Sequence, residues 1–136
     1  MMVQNPPVST AKRQADLFGP APSLPEGLRY AGDALTRAQE DALLAELPRL
    51  PFKEFQFHGF TGKRRVVSFG YRYDFSGGGL TETDPIPGFL LPAREVGARF
   101  AGLEPGALKH AHLIEYRPGA SIGWHRDRPE FEDVVR

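Results

Sequence analysis

The spacing of apolar residues predicts two helices. Thr36 followed by Gln39 has the pattern of a capping box, which opens a helix that ends before Pro48. Three leucines are predicted to form its buried stripe: Leu43, Leu44 and Leu47. In a later segment four apolar residues recur every three to four positions: Phe89, Ala93, Val96 and Phe100. Pro92 lies inside this second pattern and is expected to kink the helix or to reset its start.

Elsewhere the pattern has a period of two, which predicts strands. Residues 55–59 and 64–69 alternate in this way, and residues 110–116 form another extended run. A turn signal at residues 118–121 leads to a short extended segment at residues 122–125. We therefore expect helices first and strands afterwards, an order that favours an α+β fold with a largely antiparallel sheet.

The N-terminal stretch is rich in proline. Five prolines lie among small and polar residues there: Pro6, Pro7, Pro20, Pro22 and Pro25. Such a stretch buries too little apolar surface to offset the entropy lost on ordering, so residues 1–25 are predicted to be a flexible tail. The remaining residues 26–136 are predicted to form the folded part, with room for one domain at most and a single modest core.

Composition and charge narrow the classes of function. The 136 residues include 17 basic and 17 acidic ones, so net charge gives no global argument for nucleic acid. Because cysteine is absent, any transition metal must be held by histidine and carboxylate groups. No apolar run approaches membrane-spanning length and no secretory signal pattern is present. We therefore expect a cytoplasmic monomer without a membrane partner.

The candidate metal ligands are His125 and Asp127. In a strand, residues two apart point to the same face, so these two side chains are predicted to converge on one ion. A neutral imidazole and a carboxylate are two of the three ligands in the facial triad of non-haem iron(II) oxygenases.

The sequence around this pair is similar to a known family. Residues 116–129, YRPGASIGWHRDRP, resemble the strand, turn and metal strand of the AlkB-type iron(II)/2-oxoglutarate oxygenases, in which a Tyr-x-Pro-Gly turn leads to His-x-Asp. Upstream, residues 57–60 and 63–70 resemble the substrate-side strands of bacterial AlkB-like oxygenases. The resemblance extends roughly over residues 28–136 and holds in several separate segments in the same order.

The resemblance implies iron(II) as cofactor, 2-oxoglutarate as co-substrate, and N-terminal helices followed by the first part of a double-stranded β-helix (jelly roll). His125 and Asp127 match the first two iron ligands of the family, and Tyr116 matches the tyrosine that contacts 2-oxoglutarate. The family commonly has an asparagine two positions before that tyrosine. Here the position is Ile114, which cannot donate a hydrogen bond, so co-substrate binding would depend more heavily on Tyr116.

The family also requires a second histidine ligand and an arginine for the far carboxylate of 2-oxoglutarate, both well downstream of His-x-Asp. No histidine follows Asp127 here, so we expect a truncated oxygenase domain, with its jelly roll incomplete. In an alternative, the turn at residues 118–121 closes a hairpin and His112 completes a triad with His125 and Asp127. A slip of one residue would turn His112 to the other face, and His112 is otherwise an ordinary strand residue.

Many members of the family repair alkylated bases in DNA or RNA, which must be flipped out of the stack. Three basic residues are candidates for phosphate contacts: Lys63, Arg64 and Arg65. Three aromatic residues are candidates for stacking on a base: Tyr71, Tyr73 and Phe75. Alternatively, the basic residues lie on a half-solvated strand and the aromatic residues belong to the core.

The tail contains a possible partner motif. Gln14, Leu17 and Phe18 lie in a segment that resembles the short Gln-x-Asp-Leu-Phe peptide by which bacterial DNA-repair proteins bind the sliding clamp. Leu17 and Phe18 would fill an apolar pocket and Gln14 would hydrogen-bond at its rim. The alternative is an inert tail.

Two functions therefore remain open. One is iron(II)/2-oxoglutarate-dependent oxidative dealkylation of nucleic-acid bases by a chain that lacks the downstream ligand. The other is a non-catalytic remnant that binds nucleic acid or a protein partner.

Overall fold

A computed structural model describes residues 23–136. The predicted flexible tail lies almost wholly outside these residues, as do the clamp-binding candidates Gln14, Leu17 and Phe18. The helices and strands, in chain order, are α1 (Arg37–Glu46), β1 (Lys53–Phe57), β2 (Phe60–Phe69), β3 (Tyr71–Asp74), β4 (Gly79–Glu82), α2 (Leu91–Ala101) and β5 (Ala111–Glu115). Short 3-10 helices lie at Leu47–Arg49, Gly88–Leu90 and Pro105–Ala107.

The capping box predicted for the first helix is present. The Thr36 hydroxyl accepts a hydrogen bond from the Gln39 amide at 3.2 Å, and the Gln39 side chain accepts one from the Thr36 amide at 2.8 Å. These two bonds satisfy donors that a helix start leaves unpaired. The predicted leucine stripe is only partly right, because Leu44 is 62% exposed and no residue of α1 is fully buried.

Pro92 resets the start of the second helix, which is one of the two effects expected of this proline. It lies in the first turn of α2, where its missing N–H costs no helical hydrogen bond. The helix ends at Gly102, whose φ of 73° is left-handed and whose N–H donates to the carbonyls of Ala98 and Arg99. The buried part of α2 consists of Gly97 and Ala98.

The strands form two antiparallel sheets, one of three strands in the order β1-β2-β5 and one of two, β3 and β4. Mixed helix and antiparallel sheet confirms the α+β class, whereas the jelly roll stays a prediction. The expectation that helices precede strands is wrong, because α2 lies between β4 and β5. The predicted strand at residues 122–125 is also wrong: among residues 23–136 no strand follows β5, and residues 122–125 have no partner strand for their backbone groups.

Strand pairing sorts the side chains of β2 onto two faces. Opposite β5, Phe69 pairs with Ala111 and Ser68 with His112. Because side chains alternate along a strand, Phe69 and Ser68 point to opposite faces. Phe69 is 6% exposed and belongs with Leu90 and Ala98 to the small buried core, while the face of Ser68 carries the candidate site described below.

The turn from β2 to β3 depends on a glycine. Gly70 has a φ of 78°, and a Cβ at this position would lie 1.9 Å from the Lys109 carbonyl oxygen. Its own N–H donates to the Asp84 carbonyl at 2.6 Å, and its carbonyl accepts from the Thr83 amide at 3.1 Å. Gly70 therefore joins β2 to the β3–β4 hairpin and to the chain that enters β5.

We expect Gly70→Ala to destabilise the fold by about 2 kcal/mol or more, because it combines backbone strain with a clash against backbone that cannot yield. Urea unfolding followed by circular dichroism measures the change. Gly88→Ala is the matched control, since a Cβ there has no atom within 4 Å. Equal unfolding midpoints for the two variants would contradict the close approach at Gly70.

Candidate metal and substrate site

The two candidate metal ligands come together without a strand. His125 Nε2 lies 3.6 Å from Asp127 Oδ1, and the side chains are 40% and 38% exposed. The segment that carries them is irregular, so the convergence predicted from strand periodicity occurs for a different reason. The local bend, and not alternation along a strand, brings the imidazole to the carboxylate.

The orientation of the His125 ring suits a metal ligand. Its Nδ1 lies 2.8 Å from the Gly123 carbonyl oxygen. Because a carbonyl only accepts hydrogen bonds, the proton of the neutral ring belongs on Nδ1, and the Nε2 lone pair faces Asp127. Two electron-pair donors 3.6 Å apart are close enough to share one ion at bond lengths of about 2.0–2.2 Å.

An arginine competes for the same carboxylate. The Arg136 guanidinium donates to both oxygens of Asp127, with a distance of 2.5 Å to Oδ2. This ion pair satisfies the charge of Asp127 in the absence of a cation. A metal ion could bind both ligands only after Arg136 gives up at least one of these hydrogen bonds.

A third protein ligand is missing from the part of the chain that the structure describes. Within residues 23–136, no three histidine or carboxylate side chains are grouped as a metal ion would require. The alternative triad with His112 is therefore wrong. The hairpin that it needed does not form, and His112 instead lies opposite Ser68 with its Nδ1 2.8 Å from the hydroxyl oxygen.

Tyr116, the candidate 2-oxoglutarate contact, follows the last residue of β5 and is 45% exposed. Its neighbour Glu115 is fixed by two arginines. Hydrogen bonds from Arg65 and then from Arg117 lower the pKa of the Glu115 carboxyl below its usual range. Ile114, where the family commonly has asparagine, pairs with Val66 inside the sheet.

A group of rings, here called the aromatic cluster, lies between the two sheets and the segment after β5: Phe55, Tyr73, Phe75, His110 and Phe131. Tyr73 is central, with its ring centroid 4.8 Å from that of Phe75 and 6.5 Å from that of Phe131. Phe55 meets Phe75 edge to face at 5.7 Å. The rings of His110 and Phe131 are stacked, 5.0 Å apart and inclined by 11°.

Two arginines lie over this cluster. The Arg64 guanidinium is 3.9 Å from the centre of the Phe55 ring, and that of Arg128 is 4.6 Å from the Tyr73 ring and 5.7 Å from Phe75. A cation over an aromatic face is attracted by the quadrupole of the ring. Within the described residues, Arg64 Nε and His110 Nε2 are shielded from solvent and have no hydrogen-bond partner. The arrangement offers aromatic rings and positive charge to a ligand.

The structure separates the four residues predicted to bind substrate. Arg64 and Tyr73 both contact the aromatic cluster. Arg65 points to the opposite face of β2, forms an ion pair with Glu115 and lies 5.6 Å from the Phe52 ring. The Tyr71 hydroxyl lies 3.5 Å from the Glu82 carboxylate, across the β3–β4 hairpin.

Sequence reasoning missed Arg128, Phe131 and the place of His110 in this cluster. One signal was available for Phe131, which is a single aromatic residue among the acidic residues Glu130, Glu132 and Asp133. An isolated ring in such a stretch indicates a half-buried contact with the rest of the fold. The position of Arg128 could not be read in this way, because it depends on a fold that brings residues 73 and 128 together.

The two histidines at the start of β5 are held in the neutral form. Their rings are stacked with centroids 5.9 Å apart. Desolvation lowers the pKa of His110, and it lowers that of His112 to about 4, with smaller contributions from the charges of His110 and Arg64.

Acid is therefore expected to destabilise the fold. The unfolded chain takes up these protons near pH 6.5, whereas folded His112 does so only near pH 4. Because the unfolded state binds more protons in this window, stability falls as the pH drops through it. In His112→Gln the urea midpoint should fall less between pH 7 and pH 4 than in the wild type.

His58→Asn, in the β1–β2 turn, controls for the loss of a histidine as such. An equally steep fall in His112→Gln and in the wild type would contradict the assignment of the acid sensitivity to His112.

Comparisons of the chain with protein-family models, with characterised proteins and with solved structures give no match. In residues 23–136 no helix has the length and apolar character needed to cross a membrane.

Proposed function

We propose that this chain is part of an AlkB-like iron(II)/2-oxoglutarate-dependent oxygenase that removes alkyl groups from nucleic-acid bases. The observation that carries the proposal is the His125–Asp127 pair, with the aromatic cluster attached to the same segment through Arg128. The first part of a jelly roll is the fold that the proposal implies. Repair of alkylated DNA or RNA and a cytoplasmic location are parts of the same proposal.

His125 Nε2 and Asp127 would hold the iron, with the Gly123 carbonyl fixing the imidazole ring. The bound iron, with 2-oxoglutarate and dioxygen, would supply the oxidation of an N-alkyl carbon. Tyr116 would contact 2-oxoglutarate. The third protein ligand would come from outside the residues that the structure describes. In the family this ligand is a second histidine downstream of His-x-Asp.

The aromatic cluster would bind the substrate. A base flipped out of its stack needs an aromatic face to replace the stacking that it loses. Tyr73 is half-buried among the rings, while Arg64 offers positive charge at the edge of the cluster for a phosphate. Lys63 is exposed on the same strand, but side-chain alternation turns it to the face opposite Arg64.

A non-catalytic protein that binds nucleic acid or a protein partner is the second candidate. It is favoured by the ion pair between Arg136 and Asp127 and by the lack of a third ligand among residues 23–136. Iron(II)-dependent turnover of 2-oxoglutarate to succinate that is lost in His125→Ala supports the oxygenase. Nucleic-acid binding without any metal binding at His125 and Asp127 supports the second candidate.

Metal binding can be tested apart from turnover. The chain has a single tryptophan, Trp124, which is fully exposed beside His125. With 2-oxoglutarate present, cobalt(II) should quench its fluorescence, because a paramagnetic ion would bind at the adjacent residue. His125→Ala and Asp127→Ala should each weaken the apparent affinity at least about tenfold, with His58→Asn as the control. Equal affinity in the wild type and both variants would exclude this pair as the ligands.

Substrate binding is tested with single-stranded DNA and RNA. Tyr73→Ala should weaken binding by about 1–3 kcal/mol if the ring stacks on a base, while Tyr30→Ala, an exposed tyrosine outside the cluster, should not. Arg64→Ala should reduce the slope of log affinity against log salt by about 0.7, with the exposed Arg72→Ala as its control. Fluorescence anisotropy of a labelled oligonucleotide measures both. If neither variant differed from its control, the cluster would not be the binding surface.

A further inference from the structure

The segment that carries the metal pair is attached to the fold through a turn. Beyond β5, within the described residues, the backbone has no strand to pair with. The Phe131 amide donates to the Arg128 carbonyl at 3.0 Å, so residues 128–131 form a turn that begins one residue after Asp127. Side chains at both ends of this turn reach the aromatic cluster.

The two attachments use different chemistry and different strands. Arg128 lies over Tyr73 and Phe75, at and just beyond the end of β3, at 4.6 and 5.7 Å. Phe131 stacks on His110, just before β5, at 5.0 Å, and its centroid is 6.5 Å from that of Tyr73. A turn anchored at both ends to two strands has little freedom to rotate. Asp127, which directly precedes the turn, is therefore restrained as well.

We propose that Arg128 and Phe131 are positioning residues that hold the His125–Asp127 pair at a spacing ready for a divalent cation. This inference rests on the proposed metal site. Without the two anchors, the entropy of ordering the segment would be lost when the metal binds, and the affinity would fall accordingly. The guanidinium of Arg128 lies over Tyr73 and the ring of Phe131 stacks on His110, so both anchors would act on the metal pair through the backbone.

Arg136 has the opposite role. Its guanidinium occupies both oxygens of Asp127 and must yield to a metal ion, so it lowers the affinity. Arg128 restrains the backbone beside Asp127 without occupying the carboxylate. An arginine that competes and an arginine that positions should therefore respond to substitution in opposite directions.

The test is a titration of the full chain with manganese(II), with the free ion measured by electron paramagnetic resonance. Arg128→Met should weaken binding roughly fivefold and Phe131→Leu several-fold, and Arg128→Lys should recover much of the loss because it restores the cation over the ring. Arg126→Met is the matched control, an exposed arginine one residue before Asp127. Arg136→Met should strengthen binding.

A second measurement needs no metal. In the metal-free protein, the anisotropy of Trp124 fluorescence should fall in Arg128→Met, because a segment released from the cluster moves more freely. Urea unfolding checks that the fold persists. If Arg128→Met does not fold, Phe131→Leu serves in its place.

The possible failures are distinguishable. No manganese binding by the wild type would overturn the proposed metal site, and the positioning role with it. Wild-type binding that Arg128→Met and Phe131→Leu leave unchanged would overturn the positioning role alone. Equal losses in Arg128→Met and Arg126→Met would also overturn it, since the loss would then not depend on the contact of Arg128 with the cluster.

Discussion

The antiparallel pairing of β2 with β5 is the interaction on which both faces of the sheet depend. It joins residues far apart in the chain, placing Phe69 against Ala111 on one face and Ser68 against His112 on the other. The first face contributes to a small core, and the second carries the histidines and the aromatic cluster. A slip of β5 by one residue in this register would turn that strand over, putting His112 against the core and Ala111 on the face of Ser68.

On the face of β2 that carries Ser68 and the aromatic cluster, the arginine side chains contact aromatic rings and not carboxylates. Arg64 and Arg128 each lie over an aromatic ring, whereas Arg65, on the other face, is paired with Glu115. An arginine that is stacked keeps its positive charge available to an anion, while a carboxylate partner neutralises it. This difference decides which of two adjacent arginines can serve a phosphate, and it follows from the pleat of β2.

Local signals in the sequence predicted local structure well. The Thr36–Gln39 capping box and the new helix start at Pro92 depend on neighbours within a few residues, and both are present. The prediction of a strand at residues 122–125 was wrong because a strand needs a partner strand, which a local sequence pattern cannot reveal. The cluster around Tyr73 was only half predicted for the same reason, since Arg128 and Phe131 reach it through the tertiary fold.

In the candidate metal pair, the two side chains approach each other by a route other than the predicted one. Strand alternation was expected to align His125 with Asp127, yet they converge across an irregular bend, with Gly123 orienting the ring. A bend has no ladder of hydrogen bonds to hold its shape, so the spacing of the pair must be maintained from elsewhere. The contacts of Arg128 and Phe131 with the cluster meet that requirement, and they connect the place where a base would stack to the place where a metal would bind.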